Sequence, residues 1–150
     1  MNRAWALFGA YLIVLLTLTF FPFDGFHGTE PVDLRLQAFR TIHFALKKGL
    51  GSREFTVLIG NLAAFVPLGL LLPQMIRRRS LLLVVLAGLA LSVAIEAGQL
   101  AVSMALGFAY RTADIDDVIV NVAGAVLGYA IYIAVTTIWT RAASAGSGSG

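Results

Sequence analysis

Four long apolar runs, parted by short polar stretches, dominate the 150-residue chain. Ala4 to Phe23 is almost continuous hydrocarbon, interrupted only by Thr17 and Thr19 and preceded by Arg3. Phe55 to Ile76, Leu81 to Leu106 and Asp117 to Trp139 repeat the pattern. Each is long enough to span, since roughly 20 helical residues cover a 30 Å hydrocarbon core. The first run ends in Phe20-Phe21-Pro22-Phe23 with no small-x-small cleavage site, so it reads as an uncleaved helix rather than a signal peptide.

The one long polar connection, Asp24 to Glu54, carries a helical period of its own. Between Asp33 and Leu50, residues Leu36, Phe39, Ile42 or His43, Leu46 and Leu50 share a face, and Arg35, Arg40, Lys47 and Lys48 fall elsewhere. Asp33 is placed to cap this helix and Gly49 or Gly51 to stop it. Such a segment lies in the membrane interface or covers the bundle as a lid. The predicted fold is an all-α, polytopic membrane helix bundle of four spans plus this amphipathic helix. Residues 1–141 form one membrane domain, and residues 142–150, ending SAGSGSG, read as a flexible tail or linker remnant.

Composition agrees. Hydrophobic residues make up 59% of the chain and charged ones 13%, half of the roughly 25% usual in soluble domains. The absence of cysteine excludes disulfides and thiolate metal sites. A net charge of +3 sits in loops and span ends, where it orients the chain rather than binding nucleic acid. Arg77-Arg78-Arg79 is the clearest short basic loop and is expected in the cytoplasm, with both termini. The long first loop then lies outside with five Lys/Arg, against the rule, an objection that its length and interfacial character soften.

The polar positions inside the spans change the picture most. Ser92, Glu96, Gln99 and Ser103 are spaced 4, 3 and 4 along the third span and share one face. Ala87, Ala90, Ala94 and Ala101 lie mostly on the opposite side, a small-residue surface suited to close helix approach, which predicts a central third span. The fourth span offers Asp117, Asn121, Gly124 and Gly128 on one face, and the second carries Asn61 near its start and Pro67 and Pro73 inside. Glu96 lies roughly 15 Å, Gln99 roughly 10 Å, Asn61 roughly 9 Å and Asn121 roughly 6 Å from the same ends of their helices. Arg111, Asp114 and Asp116 stand above them in the connecting loop.

An acid at bilayer depth costs roughly 2.5–3.5 kcal/mol on insertion scales, which makes Glu96 a functional candidate by default. Glu96 and Asp117 are the candidate catalytic groups. Asn61, Ser92, Gln99, Arg111, Asp114, Asp116 and Asn121 are the candidate ligand-binding ones. Structural readings compete: the aspartates as helix caps, the asparagines as interhelical hydrogen bonds, Arg111 snorkelling to head groups. His27 and His43 are isolated, and no metal site is expected. No cofactor motif is legible.

These residues also resemble a known family. Asn61-Leu-Ala-Ala-Phe-Val-Pro67-Leu-Gly69 is similar to the N-x-x-x-F-x-P-x-G pattern of VanZ-like membrane proteins. Ser92-Val-Ala-Ile-Glu96-Ala-Gly-Gln99 resembles their S-x-x-I-E-x-x-Q segment, and the run from Arg111 through Asp114, Asp117 and Asn121 to Gly124 their R-x-x-D-x-x-D-x-x-x-N-x-x-G. The segments come in family order and cover roughly residues 10 to 135. The resemblance implies a small multi-pass protein of the bacterial cytoplasmic membrane, in a family named for lowered sensitivity to teicoplanin.

Three functions are compatible with this reading. The first is a pocket toward the outer leaflet that holds the phosphate or sugar head group of a lipid-linked cell-wall precursor, or a glycopeptide, with Arg111 as its cation. The second is an intramembrane hydrolase or transferase in which Glu96 exchanges the proton and Asp114, Asp116 and Asp117 hold Mg²⁺ or Ca²⁺. The third is a proton or ion path through Glu96, for which four spans are thin material but which a dimer could build. Membrane lipids are the expected partners throughout.

Overall fold

The computed structural model describes residues 3–21 and 31–146. Among these, the elements are α1 (Arg3–Phe20), β1 (Leu34–Arg35), α2 (Arg40–Lys48), α3 (Arg53–Ile76), α4 (Leu81–Leu106), β2 (Ala113–Asp114) and α5 (Ile115–Gly146). Helices α1, α3, α4 and α5 are long and apolar enough to cross a membrane. Pro22, Phe23, His27 and the first part of the long loop lie outside the described residues, as do residues 147–150.

The centre of the bundle is the α3–α5 pair, and glycines make it so. A Cβ on Gly69 would stand 1.9 Å from the Ala125 carbonyl oxygen, one on Gly124 2.1 Å from that of Leu62, and one on Gly128 2.0 Å from that of Val66. The two backbones are therefore in direct contact, as small-xxx-small faces allow when lipid supplies no hydrophobic drive. Gly88 of α4 approaches Ala125 on another side of α5. Leu15 of α1 joins Phe65, Leu68, Val84, Ile95 and Ala125 in the core.

This corrects the expected role of α4. Its buried face is the polar one, Val84, Gly88, Ser92, Ile95, Gln99 and Ser103. Ala90, Ala94 and Ala101 are exposed, facing away from the bundle. Alanine loses nothing against lipid, whereas hydroxyls and amides do, so the polar stripe wins the interior.

The helix boundaries follow local chemistry. Ser52 caps α3 by accepting from the Phe55 N–H at 3.2 Å, and Ser80 caps α4 by accepting from Leu83 at 3.4 Å. Arg77, with φ 53°, ends α3 in a left-handed residue, and the arginine triplet forms the tight turn between them. Gly107, with φ 78°, ends α4. At the far end α5 continues past Trp139 to Gly146, because Ala142, Ala143 and Ser144 contain no helix breaker.

The first loop differs most from expectation. Asp33 does not cap a helix; it pairs with Arg35 at 3.2 Å. Leu34 and Arg35 instead pair in parallel with Ala113 and Asp114. The helix starts only at Arg40, after Phe39 in a left-handed conformation with φ 66°, and runs nine residues. It packs on α3 and α5, at the bundle end opposite the arginine turn.

Candidate functional site

At that same end the polar side chains of four helices line a cavity of about 210 Å³. Asn61 comes from α3, Glu96 and Gln99 from α4, and Asp117 and Asn121 from α5, with Arg111 at the loop. Helix α1 supplies Leu15, Leu18 and Thr19 as the remaining wall. The α4 spacing puts Glu96 and Gln99 one turn apart on the buried face, and the α5 spacing does the same for Asp117 and Asn121.

Each group is held by a specific neighbour. The Glu96 carboxylate accepts the Asp114 backbone N–H at 3.0 Å. That bond ties α4 to the loop entering α5, where amides from α3 or α5 were the expected partners. Asn61 reaches the Asp117 carboxylate instead. The Asn121 amide donates to Ser92 Oγ at 2.9 Å, with Ser92 fully buried. Gln99 donates to the Thr19 carbonyl at 3.4 Å, fixing α1 against α4. Ser103 donates to the Arg111 carbonyl at 3.1 Å, which anchors the loop. Arg111 is close enough for its charge to bear on both Glu96 and Asp117. Beside it, burial pushes the Tyr110 hydroxyl above the ordinary phenol value, so it stays protonated at neutral pH.

One polar atom at this wall is left over. Asn121 is 4% exposed, and its Oδ1 has no hydrogen-bond partner. Turning the amide over would only exchange which of its two atoms is orphaned, since Ser92 Oγ can either donate or accept.

The three aspartates separate. Only Asp117 lines the cavity. Asp116 is fully buried and accepts three backbone N–H groups at the start of α2: Phe39 at 2.5 Å, Thr41 at 2.6 Å and Ile42 at 3.1 Å. Asp114 accepts the Thr41 hydroxyl at 2.6 Å and the Asp116 N–H at 2.9 Å. The carboxylate of Asp116 thus caps a helix 75 residues away in sequence, meeting the orphan donors and the positive end of its dipole. Among the described residues no group of three or more His, Cys, Asp or Glu is placed to hold a metal. His43 lies on the exposed side of α2, away from this cavity.

Six of the nine candidates therefore line one cavity, with Ser92 directly behind Asn121. Asp114 and Asp116 serve the attachment of α2. Sequence reasoning missed Thr19, Leu15 and Leu18 of α1, because nothing in an all-apolar run marks which side meets a polar neighbour. It also missed Thr41, whose role depends wholly on Asp114 and Asp116.

A family model described as VanZ/LLP1 matches residues 8–138, which takes in every residue of this site. The chain belongs to the VanZ/LLP1 family. Its VanZ-like segments are the ones that build the cavity: Asn61 from the first, Glu96 and Gln99 from the second, Arg111, Asp117 and Asn121 from the third. No curated protein and no solved structure matches the chain.

Proposed function

We propose that this VanZ-like protein binds the polar head group of a lipid-linked envelope precursor in the cavity between α1, α3, α4 and α5. The observation that carries the reading is the convergence of Glu96, Asp117 and Arg111 with the amides of Asn61, Gln99 and Asn121 on one cavity. The wall offers two carboxylates and three amides against a single guanidinium. Carboxylates and amides suit hydroxyl-rich groups such as sugars, and Arg111 suits a phosphate beside them. At about 210 Å³ the cavity is smaller than the roughly 300–1,000 Å³ of drug-sized sites, so it takes one head-group unit and not a whole glycopeptide. With the arginine turn taken as cytoplasmic, the cavity faces the outer leaflet.

A second reading, an intramembrane hydrolase or transferase, is favoured by one observation: Glu96 and Asp117 line the same cavity. In that reading one carboxyl acts as general acid or base on a bound head group. Asp114 and Asp116 take no part, their oxygens being engaged at α2. A proton path gains nothing from the packing, because Phe65, Leu68, Val84 and Ala125 fill the core beyond the cavity.

The test is Arg111→Ala, with melting temperature in detergent and binding of a labelled short-chain lipid-linked sugar phosphate. Loss of a charge-assisted contact weakens binding by roughly 1.5–3 kcal/mol, about tenfold or more, at unchanged stability. Full binding by a stable Arg111→Ala protein would refute the assignment of the cavity.

A further inference from the structure

A second cavity, of about 590 Å³, opens beneath α2 on the side facing the start of α3. Its walls carry Arg35, Arg40, His43 and Lys47, with Phe44 as the apolar floor and Glu54 as the one acid. Glu54 is bridged to Lys48, and Lys48 also lies over the Phe44 ring at 4.6 Å, so the acid and the aromatic are both held by a residue outside the cleft lining. Arg35 is bridged to Asp33. Lys47 makes no hydrogen bond or ion pair among the described residues, and Arg40 has only a long 3.5 Å contact to the neutral Gln37. Arg53 also makes no hydrogen bond or ion pair among the described residues; it lines the adjoining cavity together with Arg35, Thr41, Glu54 and Asp117. Among the described residues, Arg40 and Lys47 are thus the two cations of this concave lining that have no acidic partner.

The segment that carries these cations also exposes an apolar face. Leu36 is 70% exposed, Phe39 63%, Leu46 57% and Leu50 89%. In water those side chains would be a liability, but an amphipathic segment at a membrane interface buries them among acyl chains and keeps its cations at the level of the head-group phosphates. Arginine and lysine at such a boundary recognise phosphate through charge-assisted hydrogen bonds.

We propose that the cleft beneath α2 is a phosphate-binding site for the head group of an interfacial lipid, with Arg40 and Lys47 as the principal cations. The cleft shares no lining residue with the inner cavity, and Arg40 and Lys47 belong to the cleft alone.

The experiment is calorimetric titration of the purified full-length protein in an uncharged detergent with three probes. Dihexanoylphosphatidic acid supplies a lipid phosphate, inorganic phosphate the free anion, and dihexanoylglycerol the same chains without phosphate. Saturable binding of the phosphatidic acid is expected, weakened about tenfold or more by Arg40→Gln with Lys47→Gln. Both side chains are exposed, so melting temperature should not change. Lys47→Arg should keep most of the affinity, and Arg77→Gln with Arg78→Gln, an equal charge loss at the opposite end, should keep all of it. Inorganic phosphate binding with the same residue dependence supports the site and names free phosphate as the source. Equal binding of dihexanoylglycerol, wild-type affinity in the α2 double variant, or no saturable binding by any probe overturns it.

Discussion

Asp116→Ala should free α2 from the bundle without unfolding the four spans. The wild-type carboxylate accepts from the backbone N–H groups of Phe39, Thr41 and Ile42, and Phe39 itself brings no side-chain cap. One hydrogen bond to a charged acceptor contributes about 1.5–3 kcal/mol, and a single N-cap about 0.5–2 kcal/mol. Three bonds do not add in full, because the freed donors regain interfacial water, which leaves a net loss of about 3–4 kcal/mol. That shifts the docked-to-undocked ratio of α2 by roughly a hundredfold to a thousandfold. Hydrogen–deuterium exchange in detergent reads it directly: amides 39–48 should lose protection while those of α3 and α5 keep theirs. Limited trypsin cleavage at Lys47 and Lys48 should accelerate in parallel. Asp116→Asn should rescue only in part, since its oxygen can still accept from Thr41 and Ile42 while its amide nitrogen would confront the Phe39 donor. Unchanged exchange over 39–48 in Asp116→Ala would refute the capping role and return Asp116 to the candidate ligand groups.

Gly128→Ala puts a methyl 2.0 Å from the Val66 carbonyl oxygen, so α3 and α5 must part; detergent melts should register a loss at or above the usual overpacking range of about 1–3 kcal/mol. Gly60→Ala, with open space around its Cβ, should melt like wild type. Glu96→Gln can still accept the Asp114 N–H, so stability should stay within about 1 kcal/mol. A turnover assay on a lipid-linked substrate then separates the two functional readings: activity in the parent that Glu96→Gln abolishes favours the enzyme, and retained binding without turnover in either protein favours the binder. Cysteines at Thr112 and Arg78 should react with an impermeant reagent only at position 112 in intact cells; the reverse pattern would invert the topology.

How much was legible in advance depended on the range of the interaction. The boundaries of α4, Leu81 to Leu106, follow from an apolar run between Ser80 and Gly107, all of it local. That Asn61, Glu96, Gln99, Asp117 and Asn121 all lie toward one membrane face follows from counting residues along helices of fixed rise. Which face of α4 goes inward does not, because both a small face and a polar face were on offer, and only the competition between lipid and protein contacts decides. The aspartates are the sharper case. Asp114, Asp116 and Asp117 look equivalent in the chain, yet α2 claims two and the cavity one. The donors that separate them lie more than 70 residues earlier, on a helix shortened because Leu34 and Arg35 pair with β2 instead of extending it. Periodicity and composition determine spans, ends and depth, since those depend on neighbours a few residues away. Only the packed bundle assigns each carboxylate its partner, because a buried charge takes the donors that the whole fold brings to it.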